Sequence, residues 1–111
     1  MNINISEKDH ITIIELEGAI DGKTAPEIQE QVLPLIQPGS YILLDMRGVN
    51  YMSSAGLRLL LLLYRQINGG EGRVVLVGVS DRLQDTMAIT GFINFFDICD
   101  TFELGMKALK N

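Results

Sequence analysis

The chain has 111 residues, 47% of them hydrophobic and 21% charged, with a net charge of −5 and a single cysteine, Cys99. That length can bury one core without metal or disulfide, leaves no room for a second domain, and the composition excludes a disordered or fibrous chain. The nine Lys and Arg residues form no cluster to track a phosphate backbone, and the longest apolar run, Leu59 to Tyr64, is far too short to span a bilayer, so a soluble cytoplasmic domain with a protein partner is expected.

Residues 2–7 alternate weakly (Ile3, Ile5) and residues 11–16 read Ile-Thr-Ile-Ile-Glu-Leu, which predicts two strands joined around Lys8-Asp9-His10. The stretch Gly18 to Lys23 breaks this pattern. Thr24 as cap, with Pro26 inside the first turn, then starts a helix whose buried face is Ile28, Val32, Leu35 and Ile36. Pro34 removes an amide hydrogen bond within that span, so a kink or an early end is expected there.

Tyr41-Ile42-Leu43-Leu44-Asp45 is a continuous apolar run closed by one acid, the pattern of a central strand covered on both faces. From Asp45 to Tyr64 the sequence reads as a strand end, a turn and a leucine-rich helix, the helix covering Ala55 to Ile67. Ser53 and Ser54 stand where an N-cap belongs. One cap position needs one side chain, so the second hydroxyl calls for another explanation. On a helical wheel Leu57, Leu59, Leu60, Leu61, Leu63, Tyr64 and Ile67 share a wide apolar arc, whereas Leu62 falls among Arg58, Arg65 and Gln66. An isolated exposed leucine is ordinary, but one flanked by arginines also suits a binding hot spot.

Asn68 to Gly72 stops the helix, and its glycines precede a strand rather than opening a helix with Gly-Lys-Ser/Thr, which excludes a phosphate loop. Arg73 to Val79 reads as a second doubly covered strand. Ser80-Asp81 caps a helix carrying Leu83, Met87 and Ile89 and ending at Gly91; Phe95 to Ile98 is a short strand. Asp100 and Glu103 match a capping box before a last helix with Phe102, Met106 and Leu109 on one side. The order β-β-α-β-α-β-α-β-α implies an α/β fold: a mainly parallel, mixed sheet of about five strands with four helices.

In such sheets the loops after the strands gather at one end and build the site, which would bring Asp21, Ser53, Ser54 and Asp81 together. One histidine and one cysteine offer no metal cluster, and no cofactor is expected. A nucleophile elbow, Gly-x-Ser-x-Gly, is met only in its second half because Met52 holds the first position, and His10, the sole candidate base, lies in the early hairpin. An enzyme is not expected. Gly56 reads either as close packing of helix on sheet or as backbone access for a partner; Asp21 reads either as a loop cap or as a partner contact.

Three stretches together, Gly18-Ala19-Ile20-Asp21, Leu44 through Leu57, and Ile89-Thr90-Gly91-Phe92, resemble the STAS-domain family of bacterial anti-sigma factor antagonists over nearly the whole chain, residues 1–111. The resemblance implies a binding module whose unmodified form binds an anti-sigma factor that is also a serine kinase, freeing the sigma factor. Phosphorylation of one serine, at the position of Ser54 rather than Ser53, switches binding off, and a serine phosphatase restores it. In much of the family an Asp precedes the acceptor and Ser or Thr follows; here Ser53 and Ala55 stand there. The surface expected to meet the partner comprises Asp21, Ser53, Ser54, Gly56, Arg58 and Leu62. The family's fold also serves as a non-switching subunit of transporters or signalling assemblies, the alternative for this chain.

Overall fold

In the computed structural model, which describes residues 1–110, five strands lie in the order β1-β2-β3-β4-β5. They are β1 (Asn2–Lys8), β2 (Ile11–Ile20), β3 (Tyr41–Met52), β4 (Arg73–Val77) and β5 (Asp97–Cys99). β1 pairs antiparallel with β2, and every other pairing is parallel. The β1–β2 turn is the two residues Asp9 and His10, both at positive φ, which matches the twist of the flanking strands. The expected mixed sheet is therefore present, with β3 at its centre.

Four helices cover it: α1 (Ala25–Val32), α2 (Ser54–Gly69), α3 (Asp81–Ile89) and α4 (Phe102–Lys110). Strand alternation sends Ile14, Leu16, Ile42, Leu44 and Met46 into the core under α1, α2 and α3, and sends Ile11, Ile13, Leu43, Val75 and Val77 into a smaller cluster under α4. From Ile42 to Leu44 both faces of β3 are thus apolar, as the unbroken hydrophobic run there requires. No helix among the described residues is long and apolar enough to cross a membrane.

Several boundaries differ from the sequence expectation, each for a local reason. β2 does not stop near residue 16. It continues to Ile20 through register shifts at Glu15/Glu17 and Gly18/Ala19, and Gly18 supplies φ +118° at the second. β3 likewise runs on through the expected turn to Met52, because β2 goes on pairing with it after β4 has ended. β4 ends at Val77, two residues early, where Gly78 turns the chain at φ +70°. α1 ends early, at Val32, as Pro34 led one to expect, but the 3-10 turn Leu33–Leu35 that carries the proline leaves Leu35 38% exposed rather than buried. Ile89 is 87% exposed at the last turn of α3, not part of its buried face of Leu83 and Met87. Phe92–Phe95 form a 3-10 turn, which moves β5 to Asp97–Cys99. The cap of α4 is Thr101, whose Oγ1 accepts the Leu104 amide at 3.1 Å, in place of the expected Asp100/Glu103 box.

Candidate functional site

β2 and β3 end side by side, and α2 begins at the junction. The Ser53 amide donates to the Ile20 carbonyl at 2.9 Å, tying the start of α2 to the end of β2. Ser53 Oγ accepts the Gly56 amide at 3.4 Å and its carbonyl accepts the Leu57 amide at 3.0 Å, so Ser53 is the N-cap. Ser54 is the first helical residue. Its side chain is exposed, and among the described residues its hydroxyl has no hydrogen-bond partner. The two serines thus divide as the capping rule requires: one holds the helix, the other is free.

Gly56 is buried against the strand ends. A Cβ there would lie 2.5 Å from Met52 Cγ, 2.8 Å from the Ile20 carbonyl oxygen and 2.9 Å from Ile20 Cγ2. Of its two readings, close packing of helix on sheet is the one the geometry supplies. The missing side chain sets how closely α2 approaches β2 and β3, and hence where Ser54 sits.

Asp21, directly after β2, closes the next turn. Its Oδ1 accepts the Lys23 amide at 2.9 Å and the Thr24 amide at 3.1 Å. These bonds, the Thr24 amide's foremost and then the Lys23 amide's, hold its carboxyl below the usual carboxylate value. Thr24 does not cap α1 with its side chain. Its hydroxyl donates to the Ala19 carbonyl at 2.7 Å and accepts the Asp21 amide at 2.9 Å, clasping the loop instead.

Arg58, one turn along α2 from Ser54, is exposed and makes no ion pair among the described residues. Leu62 is half-buried rather than exposed, because α1 leans against that side of α2 and the wheel of a lone helix omits its neighbour. Arg58 and Leu62 line one groove of about 220 Å³ between α1 and α2, with Gly22, Pro26 and Leu59, and Ala55 beside Ser54 forms its upper end. Of the expected site residues, Ser54, Arg58 and Leu62 share one side of α2, while Ser53 caps the helix, Gly56 faces the sheet and Asp21 stands on the adjoining loop. Asp81 does not join them by any hydrogen bond or ion pair among the described residues; it opens α3, where Ser80 Oγ accepts the Leu83 amide at 3.2 Å.

His10 sits at the opposite end of the ten-residue β2 from Ile20, which the Ser53 amide contacts, a separation of about 30 Å at ~3.3 Å per residue. No group of three or more His, Cys, Asp or Glu side chains among the described residues is placed to hold a metal. Cys99 is half-buried, and burial foremost, then the charges of Asp97 and Asp100, pushes its thiol up from the ordinary value. One feature escaped the sequence reading: Asp45, the one buried charged residue described, forms a close ion pair with Arg47. Opposite charges two apart on a strand share a face, which was the available signal.

The sequence model of the STAS domain matches residues 2–104. The anti-sigma-B factor antagonist of Bacillus subtilis is 30% identical over 109 residues, covering 96% of this chain and 100% of the relative. A crystal structure of an anti-sigma factor antagonist from Mycobacterium paratuberculosis superposes with a TM-score of 0.86 at 19% identity, covering 99% of this chain and 94% of that one. The anti-sigma factor antagonist SpoIIAA in its unphosphorylated form gives 0.77 at 18% identity, over 99% of each chain. SpoIIAA of Bacillus in its phosphorylated form gives 0.74 at 19% identity, over 96% and 98%. With a family match along almost its full length and a relative of equal extent, the chain belongs to the STAS-domain family of anti-sigma factor antagonists.

Proposed function

We propose that the unphosphorylated protein binds an anti-sigma factor that is also a serine kinase, releasing the sigma factor, and that phosphorylation of Ser54 ends the binding. The observation that carries this reading is the division of labour at the α2 entrance: Ser53 supplies the cap and leaves Ser54 exposed with an uncommitted hydroxyl. A serine needed for structure would have been consumed by the helix; this one is available to a kinase.

Phosphate adds about −1.5 to −2 charges at neutral pH. At the first helical position the Ser54 and Ala55 amides remain free of the helix's own bonds and the helix dipole favours an anion, so the fold tolerates the group. A partner covering the same end must desolvate or oppose that charge, so binding is lost while folding is kept. Ser53 does the capping work of the Asp found there in much of the family, since Ser and Asp are comparable caps. Catalysis is not part of this reading, because the lone histidine is at the other end of β2. A serine phosphatase resets the switch, and the exchange takes place in the bacterial cytoplasm.

Incubation with the cognate anti-sigma kinase and ATP, followed by peptide mass spectrometry, tests the assignment. One phosphate on Ser54 is expected; label confined to Ser53, or none, rejects it.

A further inference from the structure

β3 is longer than the neighbour on one of its flanks. It pairs with β4 only from Tyr41↔Arg73 to Asp45↔Val77, whereas on the β2 side pairing continues to Ile20↔Met52. Met46 is buried and Gly78 packs against the Arg47 side chain, so the flank without a hydrogen-bonded neighbour runs from Gly48 to Met52. Just before it the protein supplies a substitute: the Arg47 amide, past the last β4 partner and inside the register shift against β2, goes to the Asp45 carboxylate at 3.1 Å. Further on nothing similar occurs. No loop or side-chain hydrogen bond among the described residues reaches the backbone of residues 48–52. Gly48, Asn50 and Tyr51 are exposed, Tyr51 by 56%, and an exposed glycine exposes main chain. This stretch leads without interruption into Ser53 and Ser54.

A short open strand edge presents donors and acceptors at a fixed spacing, and the chemistry that satisfies it is another extended backbone. Resting on the function proposed above, we propose that the anti-sigma kinase lays an extended segment of its own chain along the β3 edge between residues 48 and 52, in the place β4 has vacated. Main-chain pairing there fixes the backbone two residues before Ser54. The serine is then delivered to the kinase in one register, with side chains such as Tyr51 setting selectivity rather than supplying the attachment. The same contact explains how a partner can hold the segment without distorting the capped start of α2.

The test is amide hydrogen exchange read by NMR on the ¹⁵N-labelled, unphosphorylated full chain, alone and with the unlabelled cognate anti-sigma kinase. Alternate amides between residues 48 and 52 should exchange rapidly in the free protein and at least tenfold more slowly in the complex. Protection confined to α1 and α2, with binding intact, overturns strand addition and leaves the proposed function standing. Absence of any complex overturns both. Slow exchange of these amides in the free protein also overturns it, because the edge would already be occupied.

Discussion

The Asp45 carboxylate engages Arg47 twice, taking its backbone amide at 3.1 Å and its guanidinium at 2.6 Å (Nη2) and 2.9 Å (Nε). Burial alone would push this carboxyl up, but the Arg47 hydrogen bonds and charge outweigh it and hold it below the ordinary value. A lowered folded value means that the pair's contribution is complete above the unfolded value of about 3.9 and is lost as pH falls through the folded one. Arg47→Ala leaves a buried carboxylate with only an amide, which should cost about 2 kcal/mol at pH 7. In that variant burial dominates and raises the carboxyl, so the deficit should shrink towards pH 3. Urea midpoints across this range check it; a deficit independent of pH would remove Asp45 as its cause.

Gly56→Ala places a methyl against the Ile20 carbonyl and the Met52 side chain. The carbonyl belongs to the strand backbone and cannot move aside, so α2 must lift at its start. A loss of about 1–3 kcal/mol is expected, the usual range for overpacking a tight contact. Because α2 carries Ser54, the rate of Ser54 phosphorylation should fall as well. Urea unfolding at wild-type stability would show that the helix can shift freely, and the packing role of Gly56 would be lost.

The layer order was readable because each element announces itself by period: alternation in β2, an unbroken apolar run in β3 and β4, a 3.6-residue stripe in α2. Ser53 and Ser54 were readable for a similarly local reason, since capping chemistry is written in adjacent residues. What was not readable depended on neighbours distant in sequence. Residues 46–52 look like a turn until β2 is laid beside them, and Leu62 looks exposed until α1 packs over it. Ile89 shows the converse: an apolar residue at helical spacing that lies past the edge of the surface α3 covers. Thr101 was missed because Asp100 is an equally acceptable cap one residue earlier, and only the helix start distinguishes them.

Leu62 lines the α1–α2 groove partly covered, between a core leucine and an exposed one. Leu62→Ala should therefore cost about 1 kcal/mol, below the ~2–5 kcal/mol of a fully buried leucine. Binding to the anti-sigma kinase should weaken by more than that loss accounts for. Titration calorimetry on a protein still fully folded at the working temperature separates the two effects. Unchanged affinity would remove the groove from the interface.

Alanine substitutions distinguish the neighbouring serines by what each hydroxyl does. Ser53→Ala removes the acceptor for the Gly56 amide, and because that bond is long at 3.4 Å the cost should fall at the low end of the capping range, about 0.5–1 kcal/mol. Ser54→Ala removes a hydroxyl with no partner among the described residues and should change stability by no more than about 0.5 kcal/mol. The functional order is the reverse. Ser54→Ala should bind the anti-sigma kinase and stay bound with ATP present, because the off-signal cannot be written. Ser54→Asp places about one negative charge at the helix start, where the dipole favours it, and should fold as well as the wild type while binding poorly. Thermal melts and a partner titration on the three variants decide between switch and scaffold: equal affinities for serine, alanine and aspartate at position 54 would eliminate the switch, whatever their stabilities.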